Sequence, residues 1–356
     1  MKSRLITYAE KDLWNDFVAN SPKCPVLQSF EWGELKSCFG WQPIRLAIHD
    51  GQNKIVAGAS ILKREIPYIK HSILYCPRGP VVDYKNREAL EFLLEEIEKL
   101  ADKYHAVSLK IDPDLDENDK DVLATLKIIG FEKAHKQVQP RATIILDLDK
   151  EPDAFLMGFE EKTRYNIRLS EKKGVIIKED PSPKGINIFN QLYQETALRD
   201  KFLIHPLSYY QKIREIMFTA GLGTNFIAYY KNQPVASVIV FCFGKKIWYM
   251  YGASSSKYRN VMPNHLLHWD VIKWAREKGF KLYDLWGIPV NPKPGHPLFG
   301  VYRFKKGFNG TVIKNIGAYD FPYSHLLYHG FEHGVHWLQS LRSLITKGKI
   351  EDSLGE

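Results

Sequence analysis

The apolar positions of the chain change period repeatedly, and each change marks an element. Leu13, Trp14, Phe17 and Val18 recur at helical spacing over residues 11–20. A second helix opens at Gln28-Ser29-Phe30-Glu31-Trp32, carries Lys36 and ends near Gly40. Residues 44–48 and 54–63 read as a hairpin about Asp50-Gly51, and residues 72–76 as a further strand. Leu90, Leu93, Leu94, Ile97, Leu100 and Ala101 form one stripe that predicts a helix over 88–104, with a strand over 107–111.

This series recurs later in the chain. Lys54-Ile55-Val56-Ala57-Gly58-Ala59-Ser60 is echoed by Gln233-Pro234-Val235-Ala236-Ser237-Val238-Ile239. The strand at 73–76 is echoed at 247–251, and the 88–104 helix with its strand by 264–278 and 281–285. Two copies of one αβ unit predict two lobes. The polar, proline-containing stretch at residues 147–153 marks a boundary. The expected domains are therefore 1–150 and 151–356, the second ending in a helical tail over 324–347.

The stretch from Lys246 to Gly310 is the most organised. A β-branched and aromatic run at 247–251 breaks at Gly252 and a serine cluster, and Pro263 suits the first turn of a helix. Leu267, Val271, Trp274, Ala275 and Lys278 continue that helix until Gly279 stops it. A second strand over 281–285 lies parallel to the first across this crossover. A long loop and a closing strand through Tyr302–Gly310 complete the order. It is similar to the order by which GNAT acyltransferases hold coenzyme A, with a glycine-rich loop cradling the pyrophosphate. Here the loop reads Lys257-Tyr258-Arg259-Asn260-Val261-Met262-Pro263-Asn264, without glycine, and Pro263 has no N–H. The architecture suggests acyl transfer, while the loop argues against coenzyme A.

Three strings sharpen this. Trp248-Tyr249-Met250-Tyr251-Gly252-Ala253-Ser254, Tyr283-Asp284-Leu285-Trp286-Gly287 and Tyr302-Arg303-Phe304-Lys305-Lys306-Gly307-Phe308 follow in that order. Together they resemble the Fem aminoacyltransferases (FemABX), which build peptidoglycan peptide branches from aminoacyl-tRNA. The matching order of elements runs from Gln28 to about Tyr319. The resemblance implies an α/β fold of two GNAT-like lobes, the first on the acceptor side. It also implies transfer of an amino acid from aminoacyl-tRNA to an amine of a peptidoglycan precursor, either UDP-MurNAc-peptide or a lipid-linked form. No cofactor is expected.

Composition agrees. At 356 residues with 44% hydrophobic and 13% aromatic content, the chain is long enough for two cores, and a formal charge of +9 suits a polyanionic partner. Cys24, Cys38, Cys76 and Cys242 form no C-x-x-C pair, which fits reduced thiols in the cytoplasm. With no apolar run of membrane-spanning length, the expectation is a cytoplasmic monomer with at most peripheral membrane contact and no DNA partner. His325, His329, His333 and His336 lie in the tail, but no carboxylate or cysteine framework accompanies them beyond Glu332, so no metal is expected.

Residues 162–173 form a basic helix bearing Lys162, Arg164, Arg168, Lys172 and Lys173, stopped by Gly174. Arg164, Arg168 and Lys172 stand four apart and repel one another without an anionic partner, so these five are candidates for tRNA phosphates. Nothing between Lys184 and Lys231 has the heptads of the helical arm that some family members insert.

Transfer from a ribose ester needs juxtaposed substrates and a stabilised oxyanion rather than a nucleophile. Ser254, Ser255 and Ser256 lack the G-x-S-x-G context of a serine hydrolase. The resemblance places Lys305, with Phe304 beside it, at the reacting carbonyl, and Lys306 is the neighbouring register. It places Lys36, Tyr209 and Tyr251 at the acceptor diphosphate, with His205 where the family has an arginine. Imidazole lacks the guanidinium fork, so that grip is altered. A coenzyme A-dependent N-acyltransferase and a non-catalytic precursor-binding module are the alternatives.

Overall fold

The computed structural model describes residues 1–149 and 152–330, the side chains of residues 152–154 excepted. The chain folds as two compact units. The first holds Met1–Gln139 together with the described residues from Asn315 on, and the second holds Pro140–Lys314.

In the first unit the strands are β1 (Lys2–Leu5), β2 (Gln42–His49), β3 (Ile55–Glu65), β4 (Ser72–Cys76), β5 (Ala106–Ile111) and β6 (Glu132–Lys133). A last strand, β14 (Tyr319–Pro322), inserts to give the order β1-β2-β3-β4-β5-β14-β6. Helices α1 (Lys11–Ala19), α2 (Phe30–Ser37), α3 (Arg87–Lys103) and α4 (Lys120–Ile129) accompany this sheet. Side-chain caps start three of them: Ser29 accepts from Trp32 N, Asn86 from Ala89 N and Asp119 from Val122 N. The stripe on α3 buries Leu90, Leu93, Ile97, Leu100 and Ala101 against the sheet. On α1 the buried pair is Trp14 and Val18, and Leu13 of the expected face is exposed.

The second unit has strands β7 (Ala142–Asp147), β8 (Ile176–Glu179), β9 (Gly223–Tyr230), β10 (Gln233–Phe243), β11 (Lys246–Ser254), β12 (Leu282–Ile288) and β13 (Thr311–Lys314). Their order is β13-β7-β12-β11-β10-β9-β8. Its helices are α5 (Pro152–Met157), α6 (Glu161–Lys172), α7 (Pro183–Asp200), α8 (Leu207–Ile213), α9 (Pro263–Glu277) and α10 (Phe299–Lys306).

The expected repeat is present. In one unit β2, β3 and β4 form an antiparallel meander, and α3 crosses over to β5, parallel to β4. In the other, β9, β10 and β11 do the same, and α9 crosses to β12, parallel to β11. These are two GNAT-like lobes of a mixed α/β fold.

Two features differ from the sequence-based expectation. The division falls between Gln139 and Pro140, because β7 pairs with β12 and β13 in the second sheet while β14 pairs with β5 and β6 in the first. The described residues of the polar stretch at 147–153 thus lie inside the second unit, with Asp147 ending β7 and Pro152 opening α5. In addition, Tyr302–Gly310 is not a strand. Its first half belongs to helix α10, and the closing strand β13 begins only at Thr311. The alternating Tyr302 and Phe304 imitate a strand, but the helical turn sends Lys305 inward while Lys306 stays exposed. Of the tail expected over 324–347, residues 325–330 are helical. The remainder, including His333 and His336, lies outside the described residues.

Candidate active site

The parallel pair β11 and β12 is hydrogen-bonded only from Lys246–Trp248 against Leu282–Asp284, and its register ends there. On the other side of β12, pairing with β7 is interrupted between Asp284 and Gly287. Within this irregularity Trp286 takes a left-handed conformation at φ 60°. A bulge of this kind re-aims peptide groups out of the ladder. The carbonyls of Trp286 and Gly287 accept from the Lys305 ammonium at 3.3 and 2.7 Å.

Lys305 is 5% exposed, with its Nζ 5.3 Å from the Tyr249 ring centroid. Burial pulls its pKa down to about 7, partly opposed by the Asp284 carboxylate. Around it stand aromatic and imidazole side chains of α9 and α10. His268 Nδ1 lies 2.8 Å from the Tyr283 hydroxyl, and its ring meets Tyr249 edge-on at 4.5 Å. Phe304 packs on His265 and His268 at 5.1 and 5.3 Å. Burial, with the Lys305 charge adding to it, lowers His268 to about 3. Burial and then the Lys162 charge lower His265 to about 4. Both imidazoles are neutral at physiological pH, so the positive charge of this cluster resides on Lys305. Of the two lysines offered by the sequence, Lys305 is the buried one.

A second cluster gathers the expected acceptor residues of this unit. Tyr251 is hydrogen-bonded to Tyr209 and meets Tyr210 edge-on at 5.6 Å. The imidazole of His205, exposed, stacks on Tyr209 at 3.9 Å. Tyr209, Tyr251 and His205 are thus one assembly. Lys36 belongs to the first unit, where its ammonium lies 4.7 Å over the Trp32 ring and borders a cavity of about 250 Å³. Trp41, Tyr75, Lys110 and Gln139 also line it. Behind Tyr75 sits the buried Asp112, which accepts from the Tyr75 hydroxyl at 2.7 Å. Burial raises Asp112 to about 6.

The basic helix divides. Lys162, Arg168 and Lys172 are exposed on α6 and Lys173 is exposed at its C-cap, while Thr163, Asn166, Ile167 and Ser170 are buried. The half-buried Arg164 donates to the carbonyls of Met157 and Phe159, which ties its guanidinium to the turn before α6. The start of α6 is also fixed to the end of α10. Glu160 N donates to the Gly307 carbonyl at 2.9 Å, and a Cβ on Gly307 would lie 2.3 Å from Thr163 Oγ1. Helix α6 therefore begins next to the turn that follows Lys305.

The loop between β11 and α9 is engaged with its own chain. Glu195 accepts from Ser256 N at 2.6 Å and from Ser255 Oγ at 3.2 Å. Val261 N and Met262 N donate to the Tyr258 and Arg259 carbonyls.

A family model for the FemAB family matches residues 9–218 and 219–333. The chain belongs to the FemAB family. Among curated relatives, it is 29% identical over 427 residues to the Lipid II:glycine glycyltransferase of Staphylococcus haemolyticus, covering 99% of each chain. The aligned length exceeds the 356 residues here, so that relative carries residues without a counterpart in this family member. Among solved structures, a crystal structure of FemX superposes with a TM-score of 0.85 at 26% identity, over 92% of this chain and 99% of that one. A tandem GNAT protein from the clavulanic acid pathway, at 13% identity and TM-score 0.55, covers 91% of this chain and 98% of its own and shares the fold.

The strings quoted from the sequence brought Lys305, Phe304 and Tyr251 to notice, but not the groups that hold Lys305. Tyr249 and Asp284 stand in those strings without being assigned a role, and Thr143, His265 and His268 lie outside them, so these five are functional candidates that sequence reasoning did not assign. A lone acidic residue inside the apolar strand Leu282–Ile288 was the available signal, because a buried carboxylate needs partners. Among the described residues no group of three His, Cys, Asp or Glu side chains is placed to hold a metal, and no helix is long and apolar enough to cross a membrane.

Proposed function

We propose that this chain is an aminoacyltransferase that moves an amino acid from aminoacyl-tRNA to an amine of a peptidoglycan precursor, with Lys305 at the reacting carbonyl. Lys305 carries the reading, as a buried lysine held by two carbonyls where β11 and β12 part. The acceptor amine attacks the ester carbonyl, a C–N bond forms, and negative charge develops on the carbonyl oxygen. The Lys305 ammonium stabilises that oxyanion, an effect on the order of 2–4 kcal/mol for a preorganised donor. As the C–O bond breaks, the amine proton ends on the leaving ribose oxygen. A lysine titrating near neutrality can relay it. Phe304 packs the imidazoles beside Lys305.

The tRNA phosphates meet Lys162, Arg168, Lys172 and Lys173, whose helix starts beside the turn after Lys305. The acceptor diphosphate meets Tyr209, Tyr251 and His205 in the second unit, and Lys36 in the first unit is a separate candidate for binding the acceptor. The relatives' name favours a lipid-linked acceptor over a nucleotide-linked one. The enzyme then works as a monomer in the cytoplasm, touching the membrane only peripherally. Against the coenzyme A reading, Val261 N and Met262 N of the loop that would cradle a pyrophosphate already donate to the Tyr258 and Arg259 carbonyls, and Glu195 takes the Ser256 N–H just before it.

Incubating the chain with charged tRNA pools and either UDP-MurNAc-peptide or its lipid-linked form tests this by mass spectrometry. A precursor mass increment of one or more amino acid residues is expected and identifies the amino acid and the acceptor. Saturable acetyl-coenzyme A turnover, with no response to charged tRNA, overturns it.

A further inference from the structure

The Asp284 carboxylate takes no part in the reaction above, yet it is bound to the peptide groups that hold Lys305. Its Oδ1 accepts from the Trp286 N–H at 2.8 Å, and the Thr143 hydroxyl donates to the same oxygen. That hydroxyl also lies 3.2 Å from the Trp286 carbonyl. The other oxygen, Oδ2, pairs with Lys246 at 3.2 Å, with both side chains almost fully buried.

A tryptophan in the left-handed region costs on the order of 1–2 kcal/mol, and such a conformation persists only where its surroundings over-determine it. Here the over-determination is visible. Asp284 holds the Trp286 N–H from within β12, and the Thr143 hydroxyl anchors that carboxylate from β7. The carbonyls of Trp286, inside the interruption, and of Gly287, where pairing with Thr143 resumes, both accept from the Lys305 ammonium.

We propose that Asp284 is a positioning residue for Lys305. Together with Thr143 it fixes the left-handed turn at Trp286 so that two consecutive carbonyls aim the ammonium. This rests on Lys305 being the reacting cation. A merely structural Asp284, one that only pairs with Lys246 to close the strand, would stabilise the fold without governing Lys305.

The charge environment separates the two. The titratable or charged groups around Lys305 are Asp284 and Tyr283 on β12, Lys246 and Tyr249 on β11, His265 and His268 on α9, and Lys162 on α6. The histidines are neutral above about pH 5, their values being about 4 and 3. Burial holds both tyrosines protonated. Asp284 is the carboxylate acting on Lys305, and it favours the ammonium form.

The test uses the full chain labelled with [13Cε]-lysine, the Lys305 resonance being assigned with Lys305→Arg. In the wild type this resonance titrates near neutrality. Asp284→Asn keeps the shape and the acceptor oxygen but removes the charge. The titration and the basic limb of the kcat profile should both move to lower pH, with kcat reduced about tenfold or more and both KM values little changed. Thr143→Val should lower kcat in the same way, and Thr143→Ser should restore it. Lys246→Met should move the Lys305 titration upward. An Asp284→Asn protein whose Lys305 titration, pH profile and kcat all match the wild type overturns the proposal. If Asp284→Asn does not fold, the contrast of Thr143→Val with Thr143→Ser decides, and equal kcat in both refutes it. The titration needs no turnover, so a shifted Lys305 in a chain that transfers nothing would refute the assigned reaction and leave the positioning intact.

Discussion

Replacing Lys305 with methionine should change how stability responds to pH, by an amount set by the site. The amine titrates at about 7 in the folded chain against an ordinary value of 10.5. Between these values the unfolded chain carries a proton on Lys305 that the folded chain has released. Unfolding then takes up a proton, so wild-type stability rises with pH across this window, by about 1.4 kcal/mol per pH unit. Below pH 7 both states are protonated and the contribution is flat. Methionine has similar length and no proton to exchange. It leaves the Trp286 and Gly287 carbonyls without their ammonium, a cost of about 1–3 kcal/mol each that does not vary with pH. The sign of the difference at a single pH is therefore not diagnostic, but its slope is. Urea unfolding of both proteins at pH 6, 7, 8 and 9 should give a wild-type advantage that grows by about 2 kcal/mol from pH 7 to 9. Groups common to both proteins cancel in the difference. A difference that stays constant over this range would show that Lys305 is not held at low pKa, and would remove the physical basis for its assigned role.

Gly307→Ala places a methyl 2.3 Å from Thr163 Oγ1 and should push α6 off the end of α10, costing about 1–3 kcal/mol in urea unfolding. Neutralising Lys162, Arg168, Lys172 or Lys173 should weaken tRNA binding and lower its salt slope by about one per residue. Arg164→Ala should instead lower the melting temperature with the salt slope unchanged, because its guanidinium caps the Met157 and Phe159 carbonyls. His205→Arg should tighten a diphosphate-bearing acceptor in direct binding measurements, since a guanidinium offers the fork that imidazole lacks, with little effect on the chemical step.

Local pattern made much of this fold legible. The α3 stripe, the hairpin of β2 and β3, and the β11–α9–β12 crossover could be read because each is encoded by neighbours in sequence. Sheet membership of β7 and β14 could not, since both strands pair with partners more than a hundred residues away. Tyr302 and Phe304 misled for another reason. Alternation over a few residues does not distinguish a strand from a short helix with an aromatic edge. At the candidate site, the string around Lys305 drew attention to a lysine that the structure buries, and His205, Tyr209 and Tyr251 share one aromatic assembly. The hold on Lys305 was not legible. It depends on a bulge against β7 and on a left-handed tryptophan, neither of which has a sequence signature. Arg164 shows the converse case. Its spacing of four matched Arg168 and Lys172, but the turn before α6 claimed its guanidinium.

The most direct measurement is the single-turnover rate of Lys305→Ala with charged tRNA and precursor both saturating, alongside binding of each substrate and an unfolding curve. The account predicts a rate lowered by about 10²- to 10³-fold, with both substrates still bound and the fold cooperative. A variant that transfers at the full rate would contradict the assignment of Lys305 to the reacting carbonyl.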